Sequence, residues 1–328
     1  MLEIRKEIIH KEWSEFFEGK SYAYKRALLK VVSESYYVTH CSFRKITIGT
    51  SVIFSDMHDD SKVLIDTSSF FQCISSTNAG SLEYASKGQI VQSKISYFQS
   101  FSKRHYGNSF YSDVTKDFTS KNFLLFSSVT NCGPDRSIQS TNNIGTIYLN
   151  GGNTRLYNSN ISYNQGYEWV GFYMNSSSPI TSTSYISVIE NNQTFDVFMR
   201  FNSNTSSNVA YLTFSNIVNN VLDTYLLFTK YLCLNLSYCC MKSNQIAVNI
   251  YQIYNSSDYI SIQNSCVEPR RDYFGNGTLL ISNEIPDISI DLIDMNMNNI
   301  EYENICPSIP YKIVMNFNIL LIAVFILI

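Results

Sequence analysis

The chain has 328 residues, of which 45% are hydrophobic and only 16% charged, with a formal net charge of −3. That is ample apolar material for a large core and excludes a globally disordered chain. The slightly acidic balance excludes a polyanion-reading surface, so no nucleic-acid partner is expected, and uncharged Ser, Thr and Asn must make the surface polar.

Residues 1–35 stand apart in composition. Residues 1–30 hold seven Lys/Arg and five Asp/Glu, with Leu2, Ile4, Ile8, Ile9, Trp13, Phe16 and Phe17 at partly helical spacing. This pattern predicts a charged amphipathic helical segment. An open stack of strands exposes unpaired edges, so the segment is expected to cap the first coil. Glu3, Glu7, Glu12 and Glu15 interrupt any apolar stretch of the signal-peptide kind.

From 36 to 306 the chain repeats. An aromatic or β-branched residue followed by polar residues recurs at Phe43, Phe71, Phe98, Phe126, Tyr163, Ile189, Phe214, Tyr238 and Ile262, at spacings of 28, 27, 28, 37, 26, 25, 24 and 24. Units of this length cannot bury an apolar face alone and must stack on one another. Two residues after each anchor the side chain is mostly Ser, Cys or Asn, which suits a tight bend. Short strand-like runs lie between, such as Ser51–Phe54, Gly88–Val91 and Gly145–Leu149. Two or three short strands per unit of about 25 residues predict one coil of a parallel β-helix. Leucine-rich and helical repeats lack their required patterns here, and propeller blades are longer. The anchors are expected to be inward apolar knobs. The long spacing of 37 is assigned to a turn-rich insertion at 131–143, which contains Gly133 and Pro134.

Several segments carry a resemblance. Thr39-His40-Cys41-Ser42-Phe43, Ser69-Phe70-Phe71-Gln72-Cys73, Gly145 to Gly152, and Leu156 to Asn164 resemble recurring motifs in a large family of uncharacterised β-helix proteins of trichomonad protists. The resemblance spans about 36–306. It implies a right-handed, pectin-lyase-like solenoid, a surface or secreted protein, and a transmembrane segment near the C-terminus. It implies no catalytic activity. Where the family has a Gly-Gly-Ala-like motif, this chain has only Asn78-Ala79-Gly80-Ser81.

Candidate chemistry is sparse. Asp56, His58, Asp59 and Asp60 form the densest acidic cluster, in a connection between coils, and the expectation is a solvated loop. Glu268-Pro269-Arg270-Arg271-Asp272 carries both signs, but Pro269 marks a turn. Tyr167, Trp169, Phe172 and Tyr173 could stack on sugar rings if exposed, although packing is the usual fate of such residues. The eight cysteines contain no Cys-x-x-Cys pair, so buried thiols are expected rather than a zinc site. Seven Asn-x-Ser/Thr sites match what so Asn- and Ser-rich a chain contains by chance. No catalytic, cofactor-binding or metal-ligating set is expected.

The last segment, 312–328, is apolar and uncharged from Ile313 onward. Sixteen helical residues span about 24 Å, short of a hydrocarbon core of about 30 Å. It is read as an apolar helix and membrane anchor, with a lipid-anchor signal or a strand closing the solenoid as alternatives. The sequence therefore predicts an all-β, right-handed parallel β-helix with an N-terminal helical segment and a C-terminal apolar helix. Its expected role is a membrane-associated, non-enzymatic scaffold at the cell surface for presentation or adhesion, with a glycan or protein partner. The alternative is a carbohydrate-active β-helix enzyme.

Overall fold

The computed structural model describes residues 13, 15–17, 35–47, 49–55, 57–76, 78–85, 87–103, 109–133, 145–268, 274–283 and the backbone of 313–314. The chain forms a parallel β-solenoid of about eight turns. Its long face is a 15-stranded sheet and its short face a 10-stranded sheet, while a narrow third face carries sheets of four and two strands. The long-face strands include Lys62–Phe71, Gln89–Phe98, Asn153–Ser162 and Ile180–Ile189. The short-face strands include Phe110–Asp113, Ile147–Asn150, Phe172–Ser176, Val197–Ser203 and Tyr225–Lys230. The strand pairs are parallel and in register, so each turn lies about 4.8 Å above the last.

Two bends divide the long side of every turn, and both are made by residues with positive φ. The first bend is the column His40, Thr67, Lys94, Phe126, Asn158, Tyr185, Phe214, Tyr238, Asn264 and Asn283. The second is Lys45, Gln72, Gln99, Asn131, Tyr163, Glu190, Asn219 and Ser243. In the eight turns where both bends are described, the second follows five residues after the first. All these φ values lie between 46° and 58°, the left-handed region that L-residues with large side chains enter at a cost of roughly 1–2 kcal/mol. A left-handed residue rotates the chain while keeping its strands parallel to the turn below, which is how a narrow coil closes.

The residue after each bend points inward and stitches the turns together. After the second bend the inward column runs Cys73, Ser100, Cys132, Asn164, Asn191, Asn220 and Asn244. Its four asparagines form a buried amide ladder. The backbone N–H of Asn164 donates to Asn191 Oδ1 at 2.9 Å, that of Asn191 to Asn220 Oδ1 at 3.0 Å, and that of Asn220 to Asn244 Oδ1 at 3.1 Å. Each Nδ2 donates to a carbonyl in the preceding turn, as Asn191 does to Ile161 at 2.9 Å, and those of Asn164, Asn191 and Asn220 donate also to the next amide oxygen. Cys132 ends the ladder: its N–H donates to Asn164 Oδ1 at 2.8 Å. After the first bend the inward column is serine-rich. Ser127, Ser159, Ser215 and Ser265 each donate to the carbonyl two residues before them, at 2.7–2.9 Å, and accept an N–H from the turn below. These columns satisfy backbone groups that a bend takes out of the sheet.

Between the ladders the interior is apolar. Phe43, Phe70 and Tyr97 stack at 4.8 and 5.0 Å, and the same register continues through Val129, Ile161, Val188, Ile217, Met241 and Val267. At the return from short to long face the chain uses small residues. A Cβ on Gly88 (φ +79°) would lie 2.5 Å from the Ser61 carbonyl oxygen, and one on Gly152 (φ +67°) would lie 2.3 Å from that of Ser120.

Three expectations change. The nine anchors do not form one inward column. Phe126, Phe214 and Tyr238 occupy the first bend and Tyr163 the second, all four exposed, while Phe43 faces in. The interval of 37 is therefore a 32-residue turn plus the five residues separating the bends, and the preceding turn is also 32 residues long. Near the N-terminus, Trp13, Glu15 and Phe16 are helical, and Phe17 N–H donates to the Trp13 carbonyl at 2.9 Å. Trp13 and Phe17 pack against Leu64, Val91 and Phe123 on the outer flank of the long face, and the rest of the segment expected to cap the first coil lies outside the described residues. The rings of Trp13 and Phe17 cover the three apolar side chains stacked on that flank. Lys121 Nζ donates to the Phe16 carbonyl, and Lys62 and Lys121 lie over the Phe17 ring. In the C-terminal segment only Ile313–Val314 are described. They form a strand pairing in parallel with Val52–Ile53, where a helix was expected. The rest of that segment lies outside the described residues, and no helix among the described residues is long and apolar enough to cross a membrane.

Candidate functional site

Two lateral surfaces depart from the plain repeat. The first lies on the outer side of the short face. Strand alternation turns Tyr111, Tyr148, Tyr173, Arg200 and Phe228 outward in one column, and Asp113, Asn150, Asn175, Asn202 and Lys230 in the next. The tyrosines stack, with centroids 4.9 Å apart for Tyr111–Tyr148 and 4.3 Å for Tyr148–Tyr173. Trp169, at a bend with φ 47°, packs beside Tyr173 at 4.6 Å. Arg200 is held flat against this wall, its guanidinium carbon 5.3 Å from the Trp169 ring centre, 5.6 Å from Tyr173 and 4.5 Å from Phe228. Its Nε donates to Asn202 Oδ1 at 3.2 Å, and Asn202 Nδ2 donates to the Tyr173 hydroxyl at 3.1 Å. Asn175 Nδ2 donates to Asn150 Oδ1 at 2.7 Å, and Asn150 Nδ2 donates to Asp113 Oδ1 at 2.8 Å. An outer chain of amides thus runs beside the aromatic stack, from a carboxylate at one end to two cations at the other.

The charges here are perturbed in one direction. Burial raises Glu168 above the usual carboxylate range, the neighbouring Asp196 charge raises it further, and Arg200 opposes both. Asp196 is likewise raised by burial and lowered in part by Arg200 and the Val197 N–H. Burial also raises Asp113, against the pull of Lys116 and the Asn150 amide. Two carboxyls with raised proton affinity thus lie within electrostatic reach of one guanidinium packed on an aromatic wall.

The second surface is a ridge at the first bend. Phe126, Tyr185, Phe214 and Tyr238 stand at the bend itself and Tyr157 immediately precedes it, and each is 36–43% exposed. Tyr185 stacks on Phe214 at 5.1 Å and Phe214 on Tyr238 at 5.0 Å, with planes within 7° of parallel. Tyr157 meets Phe126 and Tyr185 edge-on at 5.6 and 5.5 Å. The flanking outward columns, Ser184, Thr213 and Ser237 on one side and Asn160, Ser187 and Asn216 on the other, carry no charge.

The residues singled out by sequence are scattered. Asp59 accepts from Lys87 at 3.2 Å and from Thr115 at 3.2 Å on the surface, and Asp60 is exposed beside it. Asp56 lies outside the described residues, as do 269–272 of the second charged cluster, leaving exposed Glu268. Of the aromatic run, Phe172 is fully buried in the core, whereas Trp169 and Tyr173 belong to the outer wall at 8% exposure. Tyr167 stacks on Phe195 at 4.6 Å. Among the described residues no group of three or more His, Cys, Asp or Glu could hold a metal. Arg200, Glu168 and Asp196 were not singled out, because Glu168 stands one turn away from Asp196 and Arg200 and only the stacking of turns joins it to them. Comparison with protein-family models, curated proteins and solved structures finds no match.

Proposed function

We propose that the chain is a non-enzymatic scaffold with a presentation or adhesion role, built as a right-handed, pectin-lyase-like β-helix of the trichomonad type and held at a membrane of the cell surface by its C-terminal tail. The observation that carries this reading is the first-bend ridge. A left-handed position favours Asn or Gly, and the chain uses Asn158, Asn264 and Asn283 in other turns. Placing Phe126, Tyr185, Phe214 and Tyr238 there adds backbone strain and exposes apolar rings to water, which calls for a reason other than folding. The stacked rings turn their electropositive edges outward between rows of hydroxyls and amides. That surface suits an oxygen-rich partner, a glycan first and a protein second.

The test is binding of neutral polysaccharides by affinity electrophoresis, comparing the wild type with a Phe214→Asn/Tyr238→Asn variant. The variant is expected to lose retardation while its melting temperature holds. Equal retardation of the two proteins would remove the ridge from the proposal. Membrane attachment is tested separately, by protease shaving of intact cells carrying a tag after the solenoid. A protected tag in a soluble fraction would overturn it. Ile313 and Val314 pair with the solenoid edge, so attachment requires the tail to begin beyond them or to leave that edge.

A second reading, a carbohydrate-active enzyme, is favoured by Glu168 and Asp196 beside Arg200. Release of reducing ends from a polysaccharide, abolished by Glu168→Gln/Asp196→Asn, would establish it over the first.

A further inference from the structure

The number of Asn-x-Ser/Thr sites follows from composition, but the fold sorts them by place. Asn160, Asn175, Asn192 and Asn235 lie inside the strands Asn153–Ser162, Phe172–Ser176, Asn192–Gln193 and Cys233–Ser237. Each of the four is paired in register with a rung on both sides, as Asn175 is with Asn150 and Asn202. The other three, Asn204, Asn255 and Asn276, lie outside strands. All three fall on one corner of the rod, the return from the short to the long face. Phe201, Thr229, Ile253 and Gly275 share one register column there, and the three asparagines follow it by three, two and one residues.

The corner asparagines differ in how their amides are used. Asn255 is half-buried, and its Nδ2 donates at 3.0 Å to Oδ2 of the buried Asp258, which also accepts the Tyr231 N–H at 2.9 Å. Asn204 is exposed, and its side chain makes no hydrogen bond among the described residues. The turn around it is held by its neighbours. Thr205 Oγ1 donates to Asn208 Oδ1 at 2.8 Å, Asn208 Nδ2 to Ser203 Oγ at 2.5 Å, and the Asn208 N–H to the Thr205 carbonyl at 3.2 Å. Asn276 is also exposed, with its Nδ2 at 3.5 Å from the Tyr254 carbonyl oxygen, the limit of a hydrogen bond. Its corner is held by the backbone: the Asn276 N–H donates to Ile253 at 3.0 Å and the Thr278 N–H to Asp258 at 3.1 Å. The Asn204 and Asn276 amides can therefore be modified with both corners intact.

We infer that Asn204 and Asn276 are the N-glycan acceptors of this chain. The inference rests on the reading of the chain as a cell-surface protein, because that route brings it to the donor, an oligosaccharide carried on a lipid pyrophosphate. In the transfer, Nδ2 attacks C1 of the first sugar. The Nδ2–C1 bond forms, the bond from C1 to the pyrophosphate oxygen breaks, the pyrophosphate keeps the electron pair, and one amide proton is released. The product is a bulky polar group, which belongs on a surface loop. A sugar on a strand asparagine would instead sit against rungs about 4.8 Å away on either side. The two acceptors stand three rungs, about 14 Å, apart on one corner. The strand Val209–Thr213 separates the Asn204 corner from Phe214, so the glycans leave the aromatic ridge uncovered.

The experiment is site mapping on the full chain, expressed in a eukaryotic cell behind a secretion leader. The leader delivers the chain to the lumen whatever its native address, so a failure here falls on the sites, while protease shaving of intact cells tests the address. Enzymatic release of the glycans in heavy-oxygen water converts each occupied asparagine to a labelled aspartate, which peptide mass spectrometry locates. The expected result is label at Asn204 and Asn276, and none at Asn255 or at the four strand asparagines. Asn204→Gln and Asn276→Gln should each remove one step of gel mobility, and Ser206→Ala should reproduce the first. Absence of label at Asn204 or at Asn276, or equal label at any of the other five sites, would overturn the inference. The wild-type map decides this even if a variant fails to fold.

Discussion

The two bends of the long face have the same backbone and different chemistry. Each turn passes through a left-handed residue, extends for four residues and passes through another. Behind the second bend the chain buries a continuous amide ladder, Asn164 to Asn244. Behind the first it buries hydroxyls, and in front of it exposes aromatic rings. The contrast shows that a solenoid column is defined by backbone geometry first. Once the bend is fixed, the inward neighbour must satisfy freed peptide groups, while the bend residue itself is open to selection for other ends.

The largest expected effect is behind the second bend. Asn191→Ala removes two donated and two accepted hydrogen bonds within a buried ladder and orphans their partners. A loss of about 3–4 kcal/mol is expected in denaturant unfolding. A loss below about 1 kcal/mol would mean that the ladder is ornamental. Ser215→Ala tests the equivalent position behind the first bend. It removes one bond donated to Thr213 and a long one accepted from Ile186, so about 1–2 kcal/mol is expected by the same measurement. If its cost matched that of Asn191→Ala, the proposed difference between the bends would collapse.

In front of the first bend the balance is close. Phe214→Asn relieves left-handed strain but loses stacking on Tyr185 and Tyr238, so stability should move by no more than about 1 kcal/mol either way. Calorimetry showing a larger loss would make the ridge structural.

Glu168 provides a pH test away from both bends. Its raised pKa means that the folded chain binds its proton more tightly than the unfolded chain. The folded state is therefore favoured below the ordinary carboxylate pKa, and this contribution is lost as pH rises through the raised value. Glu168→Gln should raise the melting temperature at neutral pH by a small amount, at or below about 1 kcal/mol after solvent screening, and flatten that part of the pH profile. A lower melting temperature would show that Arg200 stabilises the charged form more than burial opposes it. The smallest effect is expected at Asp59→Asn, where a fully exposed ion pair with Lys87 is removed and thermal melting should not change measurably.

Much of the architecture was legible in the chain. The repeat length, the short strands around Val52–Phe54 and Ile147–Asn150, the beginning of the ten-residue strand Gln89–Phe98, and the stacking all follow from periodicity. The columns were not. Phe126 and Tyr163 look alike in sequence, yet one stands at the first bend and the other at the second, so counting between them adds five residues to a turn. Aromatic identity could not distinguish an inward Phe43 from an outward Phe214, because a left-handed residue shifts the inside–outside alternation by one. A signal did exist. Asn164, Asn191, Asn220 and Asn244 recur at 27, 29 and 24 residues, each directly after a bend residue.

By itself the sequence determined that this chain stacks. Its apolar residues come in short, regularly spaced runs that no single turn can bury, and Ser, Thr and Asn keep the outside polar with few charges. Only the tertiary structure decided which residues meet. Arg200 lies between Trp169, Tyr173 and Phe228, and Cys240 beside Cys266, because parallel register joins positions from different turns. The physical reason is that each turn has its own length, here between 24 and 32 residues for most of the rod. Register is restored by hydrogen bonds across the turns, and not by counting along the chain.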